Sequence, residues 1–210
     1  MSQTNNDWRR IDDEWLIAAA SQSALKLDSD VNNTSLVLAI ELPRSKKILL
    51  FAGDAQADSW HLWDDIQWAS ADGSPITTDD LLKRTVLYKV GHRGSHNGTL
   101  RSDVGGKKRK GLELMDSPEL VAMLPVDQHT ASTLKHWPRM PFGLLVNRLS
   151  ERTWGRLLRA DDDFPKSRPH GLSETAWLSF RQNFQETGLY MQFTVADSQA
   201  QHRQRVNLIA

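Results

Sequence analysis

The chain has 210 residues, enough for one domain with a real core and marginal for two. Lys plus Arg and Asp plus Glu both total 26, so overall charge steers no partner toward it. The absence of cysteine removes disulfides, thiolate zinc sites and cysteine nucleophiles together, leaving His, Asp and Glu as the only strong metal donors.

The first ten residues are polar and lack the apolar core of a signal peptide. Residues Asp7–Leu27 read as a helix, with Trp8, Ile11, Trp15 and Ala18 or Ala19 at helical spacing. A turn-rich connector, Asp28–Thr34, leads into a strand over Ser35–Leu42. Pro43–Lys47 is a hairpin turn, and Ile48–Ala52 a second, wholly apolar strand. Continuous apolar runs of this length indicate strands covered on both faces, the habit of layered α/β proteins. A helix is predicted from Asp58 to about Trp68, carrying Trp60, Trp63 and Ile66, before a turn at Asp72–Pro75. Thr85–Val90 is a third strand, Gly98–Lys110 a loop rich in Gly, Lys and Arg, and Leu112–Met115 a short helix. Leu120–Val126 is a fourth strand. Asp127–Met140 reads as irregular, and Pro141 opens a helix with Phe142, Leu145 and Leu149 on one face. Gly155–Ala160 is a short strand, Asp161–Pro169 a polar linker, and Thr175–Val195 a hairpin turning at Gln185–Gly188. Residues beyond Asp197 read as a frayed tail. No apolar run approaches the roughly 20 residues of a membrane span. The expectation is a cytoplasmic protein with no membrane partner.

Two short motifs carry the chemistry. Phe51-Ala52-Gly53-Asp54-Ala55 follows the second strand, and Lys89-Val90-Gly91-His92-Arg93-Gly94-Ser95 follows the third. Asp54 and His92 therefore emerge at strand ends, a carboxylate and an imidazole flanked by glycines that let a ligand approach the backbone. His96 stands four residues after His92, a spacing that shares a face if a helix follows. Ser95 with the amides after it offers an anion contact. The run Lys107-Lys108-Arg109-Lys110 attracts phosphates or nucleic acid, although no aromatic interleaves it for base stacking. Asp127, His129 and His136 lie near further strand ends. Each of these also has an ordinary role, as a cap, a surface imidazole or a solvated loop.

The order of elements, with Gly-Asp-Ala after one strand and Gly-His-Arg-Gly-Ser after the next, resembles the C-terminal half of the metallo-β-lactamase fold. The hydrolase domain of competence-type DNA-uptake channel proteins is the most similar variety. Asn33–Leu38, Ile48–Ala55 and Leu87–Ser95 carry the resemblance, with weaker echoes at His136-Trp137-Pro138 and Gly155–Arg159, and it spans about Asn33–Asp161.

The resemblance implies an α/β chain forming half of an αββα sandwich with a small C-terminal extension. Its parts are an N-terminal helix and connector (1–32), a half-domain (33–161), and a linker, hairpin and tail (162–210). It implies that Asp54 bridges two metal ions and His92 binds one of them, with zinc or manganese as the metal. Ser95, His96, Lys107, Lys108 and Arg109 would meet an anionic substrate, a phosphodiester or a nucleic acid. The family's His-x-His-x-Asp-His motif is missing: none of the seven histidines lies in such a motif, and none precedes Asp54. Arg93 stands where the family usually has a second histidine. The implied activity is thus a metal-dependent hydrolase component that needs a second chain or an N-terminal half, both to supply ligands and to cover an exposed sheet face. The alternative is a degenerate, non-catalytic interaction module.

Overall fold

The computed structural model describes residues 35–70, 73–99, 111–197 and 205–209. Its centre is the pair of apolar segments expected from the sequence. Strand β2 (Ile48–Phe51) runs parallel to β5 (Thr85–Lys89), followed by β6 (Val121–Leu124) and β7 (Leu157–Arg159). Strand β1 (Leu38–Glu41) pairs antiparallel with β2 across the Pro43–Lys47 turn, giving a five-stranded sheet of order β1-β2-β5-β6-β7. The architecture is mixed α/β.

The register sorts side chains onto two faces. Leu50, Tyr88 and Ala122 align on one face, and Leu49, Leu87 and Val121 on the other. The first face is covered by the crossovers: helix α1 (Ala57–Leu62) through Trp60, α2 (Thr78–Lys83) through Leu82, α3 (Gln128–Thr133) through Ala131 and α4 (Gly143–Arg152) through Leu149. The short Gly111–Leu114 turn adds Leu112.

The second face is not left bare for a partner, contrary to the sequence expectation. Helix α5 (Glu174–Gln182) and the antiparallel strands β8 (Phe184–Glu186) and β9 (Met191–Ala196) bring Trp177, Phe180, Phe193 and Val195 into one buried cluster with Leu49, Leu87 and Met123. The chain covers its own sheet because its C-terminal fifth is rich in large apolar residues. At the turn of β1 and β2, Asp197 accepts the Ser45 amide at 2.8 Å, the Ser45 hydroxyl at 2.9 Å and the Arg44 amide at 3.2 Å, tying the tail to the hairpin. At and just before β1, Leu36, Leu38 and Ile40 are 72%, 44% and 44% accessible.

Several elements differ from the sequence reading. The helix expected to reach Trp68 stops at Leu62 with a 3-10 turn to Asp65, and Trp68–Ala69 (β3) pairs with Pro75–Ile76 (β4). The segment Asp127–Met140 contains α3, capped by Asp127. The α4 helix begins at Gly143 rather than Pro141, whose peptide bond with Met140 is cis. Thr175–Val195 is a hairpin only in its second half, because Ser173 caps a helix there by accepting the Ala176 amide. The polar linker contributes Phe164 to the core, stacked 4.1 Å from the Phe184 ring. The frayed tail includes β10 (Arg205–Ile209), antiparallel to β9. The predicted helix Asp7–Leu27, its connector and the basic run with Lys107, Lys108 and Arg109 lie outside the described residues. No helix among the described residues is long and apolar enough to cross a membrane.

Candidate functional site

The neighbouring parallel strands β2 and β5 deliver Asp54 and His92 to the same edge of the sheet. Carboxyl ends of parallel strands are where α/β sheets collect their ligand-binding loops. Here the two loops are stitched directly: the His92 amide donates to the Gly53 carbonyl at 2.9 Å. Contact this close needs glycine. A Cβ on Gly91 would stand 2.9 Å from both Ala52 Cβ and Gly53 O, and one on Gly98 would stand 2.9 Å from Gly91 O. Tyr88, fully buried beneath the loop, shares a 2.8 Å hydrogen bond with Thr99 Oγ1. Burial pushes its phenol up to about 12, so it holds the loop as a neutral group.

The loop carries backbone strain at two successive residues. His92 and Arg93 both have left-handed backbones, φ +47° and +54°. Non-glycine residues pay about 1–2 kcal/mol each for that region, and such strain gathers at functional sites.

The His92 ring is held from one side. Ser95 Oγ donates to Asn97 Oδ1 at 2.5 Å, and His92 Nδ1 lies 2.6 Å from Ser95 Oγ and 3.2 Å from Asn97 Oδ1. His92 Nδ1 is thus held between Ser95 Oγ and Asn97 Oδ1. A metal-ligating imidazole usually has its other ring nitrogen fixed by a second contact of this kind.

Ser95 is thus placed as a positioner of His92. It is buried, its backbone is extended, and no helix starts at it to present amides to an anion. His96 does not share a helical face with His92, since the 3-10 turn ends at Gly94. It is exposed, its ring set edge-on to Phe142 at 6.2 Å. Asp127 takes the ordinary role, accepting the Thr130 amide at 2.5 Å. That hydrogen bond holds its carboxyl below the usual range. His129 lies exposed on α3, and His136 is exposed with a left-handed backbone.

Arg93 was read from the sequence only as a departure, and it occupies the centre of the site. Its Nη2 lies 3.7 Å from Asp54 Oδ2, and its guanidinium packs over the Trp137 ring at 4.8 Å. Its Nε is buried with no hydrogen-bond partner. The Arg93–Asp54 pair is partly solvated, and such pairs contribute about 0–1 kcal/mol. Asn97 was also missed, and Trp137 entered the sequence reading only within the weak His136-Trp137-Pro138 echo. The Asn-Gly pair at 97–98 is a turn signal that marks the loop, but nothing in the sequence assigns its side chain to His92.

A catalytic zinc takes three protein ligands. Asp54 and His92 supply two, and no three His, Asp or Glu side chains among the described residues gather where they could hold a metal. The described donors do not by themselves fit a catalytic metal. No family model, curated protein or solved structure matches this chain.

Proposed function

We propose that the chain is the Asp54- and His92-bearing component of a hydrolase acting on a phosphodiester or another anionic substrate, built as half of a metallo-β-lactamase-like sandwich. The observation that carries this is the pairing of the two motifs on adjacent parallel strand ends, joined by the His92 amide and Gly53 carbonyl at 2.9 Å. The hold of Ser95 and Asn97 on His92 Nδ1 supports it further. In this reading the remaining zinc or manganese ligands come from a second chain or from residues outside those described. The edge of β1, which pairs only with β2 among the described residues and carries the accessible Leu38 and Ile40, is the surface suited to that contact.

A second reading has its own observation. Arg93 sets a permanent cation beside Asp54, the place a metal's charge would take, as expected of a degenerate module that binds or assembles without catalysis. The two readings part on metal uptake. Elemental analysis after zinc loading compares the wild-type chain, Asp54→Ala/His92→Ala and Arg93→Ala. The hydrolase reading expects near-stoichiometric zinc that the double variant loses and Arg93→Ala keeps or gains. Absence of metal from all three, with unchanged stability on adding zinc, means that the chain alone holds no metal and leaves the non-catalytic module or a hydrolase whose other ligands sit in a second chain.

A further inference from the structure

The opposite edge of the same sheet holds a second recess. It lies where the chain enters β2, β5, β6 and β7, and is closed on the other side by α5 and β9. Its volume is about 400 Å³, within the range of small-molecule sites. One wall is apolar, with Val86 and Val121 from the sheet, Phe180 from α5 and Phe193 and Val195 from β9, while Ser173, Thr175, Ser179 and Asn183 make the rest largely polar.

One charge on this wall is unusual. Arg156 is only 4% exposed and lines the recess. Its Nε donates to Thr153 O at 2.9 Å and its Nη2 to Pro118 O at 2.6 Å, both neutral acceptors. No described carboxylate lies within ion-pairing distance of it. The neighbouring acid, Glu119, is taken by an ion pair with Lys47. Buried cations are normally paired, because desolvation costs more than neutral hydrogen bonds return. Lys47, Glu119 and Arg156 together leave the recess with an excess positive charge. The start of α5, through its N-cap Ser173 and Thr175, lines the same space and adds the positive end of a nine-residue helix.

We infer that this recess binds a small carboxylate with an apolar body, its carboxylate on Arg156 and its body against Val121, Phe180 and Phe193. The site is separate from Asp54 and His92, and stands or falls independently of the hydrolase reading. An apolar chain alone would leave the arginine unpaired. A bare inorganic anion would leave the apolar wall in water.

The test uses the full chain with octanoate as probe, 1-octanol as the uncharged control and inorganic phosphate as the anion control, followed by isothermal titration and by chemical-shift mapping. Octanoate is expected to bind and to shift resonances of Val121 and Phe193, with phosphate silent and octanol at least tenfold weaker. Arg156→Met keeps the aliphatic stem and is expected to weaken octanoate at least tenfold while leaving octanol unchanged. Ser179→Trp, at an exposed position on the rim, is expected to block both ligands with the fold intact, and serves if Arg156→Met does not fold. The inference is overturned if octanoate fails to bind the wild type, if phosphate binds there and octanoate does not, or if folded Arg156→Met or Ser179→Trp binds octanoate as the wild type does.

Discussion

Replacing Gly91 by alanine tests whether the two loops of the candidate site must touch. Gly91 has an ordinary backbone, φ −76°, so the substitution adds no conformational strain of its own. The cost is steric: the new methyl meets Ala52 Cβ and Gly53 O at 2.9 Å, one a strand-end side chain with no freedom to swing, the other backbone. Overpacking of this kind costs about 1–3 kcal/mol. Relief requires the loops to part, which also stretches the bond from the His92 amide to Gly53 O, worth about 1 kcal/mol. The sum is about 2–4 kcal/mol, a fall in melting temperature of roughly 5–15 °C for a domain of this size. Gly143→Ala is the control, since nothing lies within 4 Å of its added methyl and it opens helix α4. It should be neutral or stabilising by up to about 1 kcal/mol. Thermal melts followed by circular dichroism read both. If Gly91→Ala melts within a degree or two of the wild type, the loops are not pressed together and the pairing of Asp54 with His92 loses its support.

Three further outcomes follow from the packing. Phe164→Ala removes a ring stacked on Phe184, Phe180 and Trp177 at 4.1, 5.2 and 5.8 Å, and should cost about 2–3 kcal/mol in urea unfolding. A negligible loss would mean that the C-terminal layer does not fold with the sheet. Thr77→Ala breaks the capping box with Asp80 and should cost about 1 kcal/mol, read the same way. At Asp197, burial pushes the carboxyl up, but hydrogen bonds from Ser45 and Arg44 outweigh it and its pKa falls below the usual value. Its folded pKa being depressed, its stabilisation is present above the unfolded value of about 3.9 and is lost as pH falls through the folded one. The melting-temperature gap between wild type and Asp197→Asn should therefore be constant from about pH 7 to 5 and shrink below about pH 4. A gap that widens on acidification would refute the assignment.

The sheet was legible because its strands are short, apolar and bounded by turn residues. Ile48–Phe51, Thr85–Lys89, Val121–Leu124 and Leu157–Arg159 all fall inside the predicted segments. The missed helices are brief, and their signals lie in caps rather than in periodicity. Thr77 with Asp80 caps one and Ser173 the other, and neither cap was read from the sequence. The aromatic-rich run through Trp177 and Phe180 suggests a strand by composition, and tertiary packing overrides it. Asp54 and His92 were legible as motif ends. Their relation to Arg93, Asn97 and Trp137 was not, because it depends on how the loop after β5 folds back and on Trp137 arriving from beyond β6. The covered second face was missed for a related reason: misreading α5 as a strand hid the layer that closes it.

The left-handed pair His92-Arg93 bears on how finished this site is. Strain persists only where the surroundings over-determine the backbone. Here the loop is fixed at several points: His92 N to Gly53 O, Tyr88 to Thr99, and the Phe142 amide to Gly94 O at 2.8 Å. None of these contacts involves a ligand, so the imidazole is aimed by the fold before anything binds. Arg93 is less settled, with a buried Nε that finds no acceptor and a carboxylate held only at 3.7 Å. An anion would meet Arg93 at its terminal nitrogens, beside Asp54, whereas a cation between Asp54 and His92 would have to displace the guanidinium. Ranking phosphate against zinc by the melting-temperature rise each gives the wild-type chain separates the two, since a ligand that binds only the folded state stabilises it in proportion to its occupancy. A larger rise with zinc would mean that Arg93 yields its place; a larger rise with phosphate would mean that this edge of the sheet is an anion site as it stands.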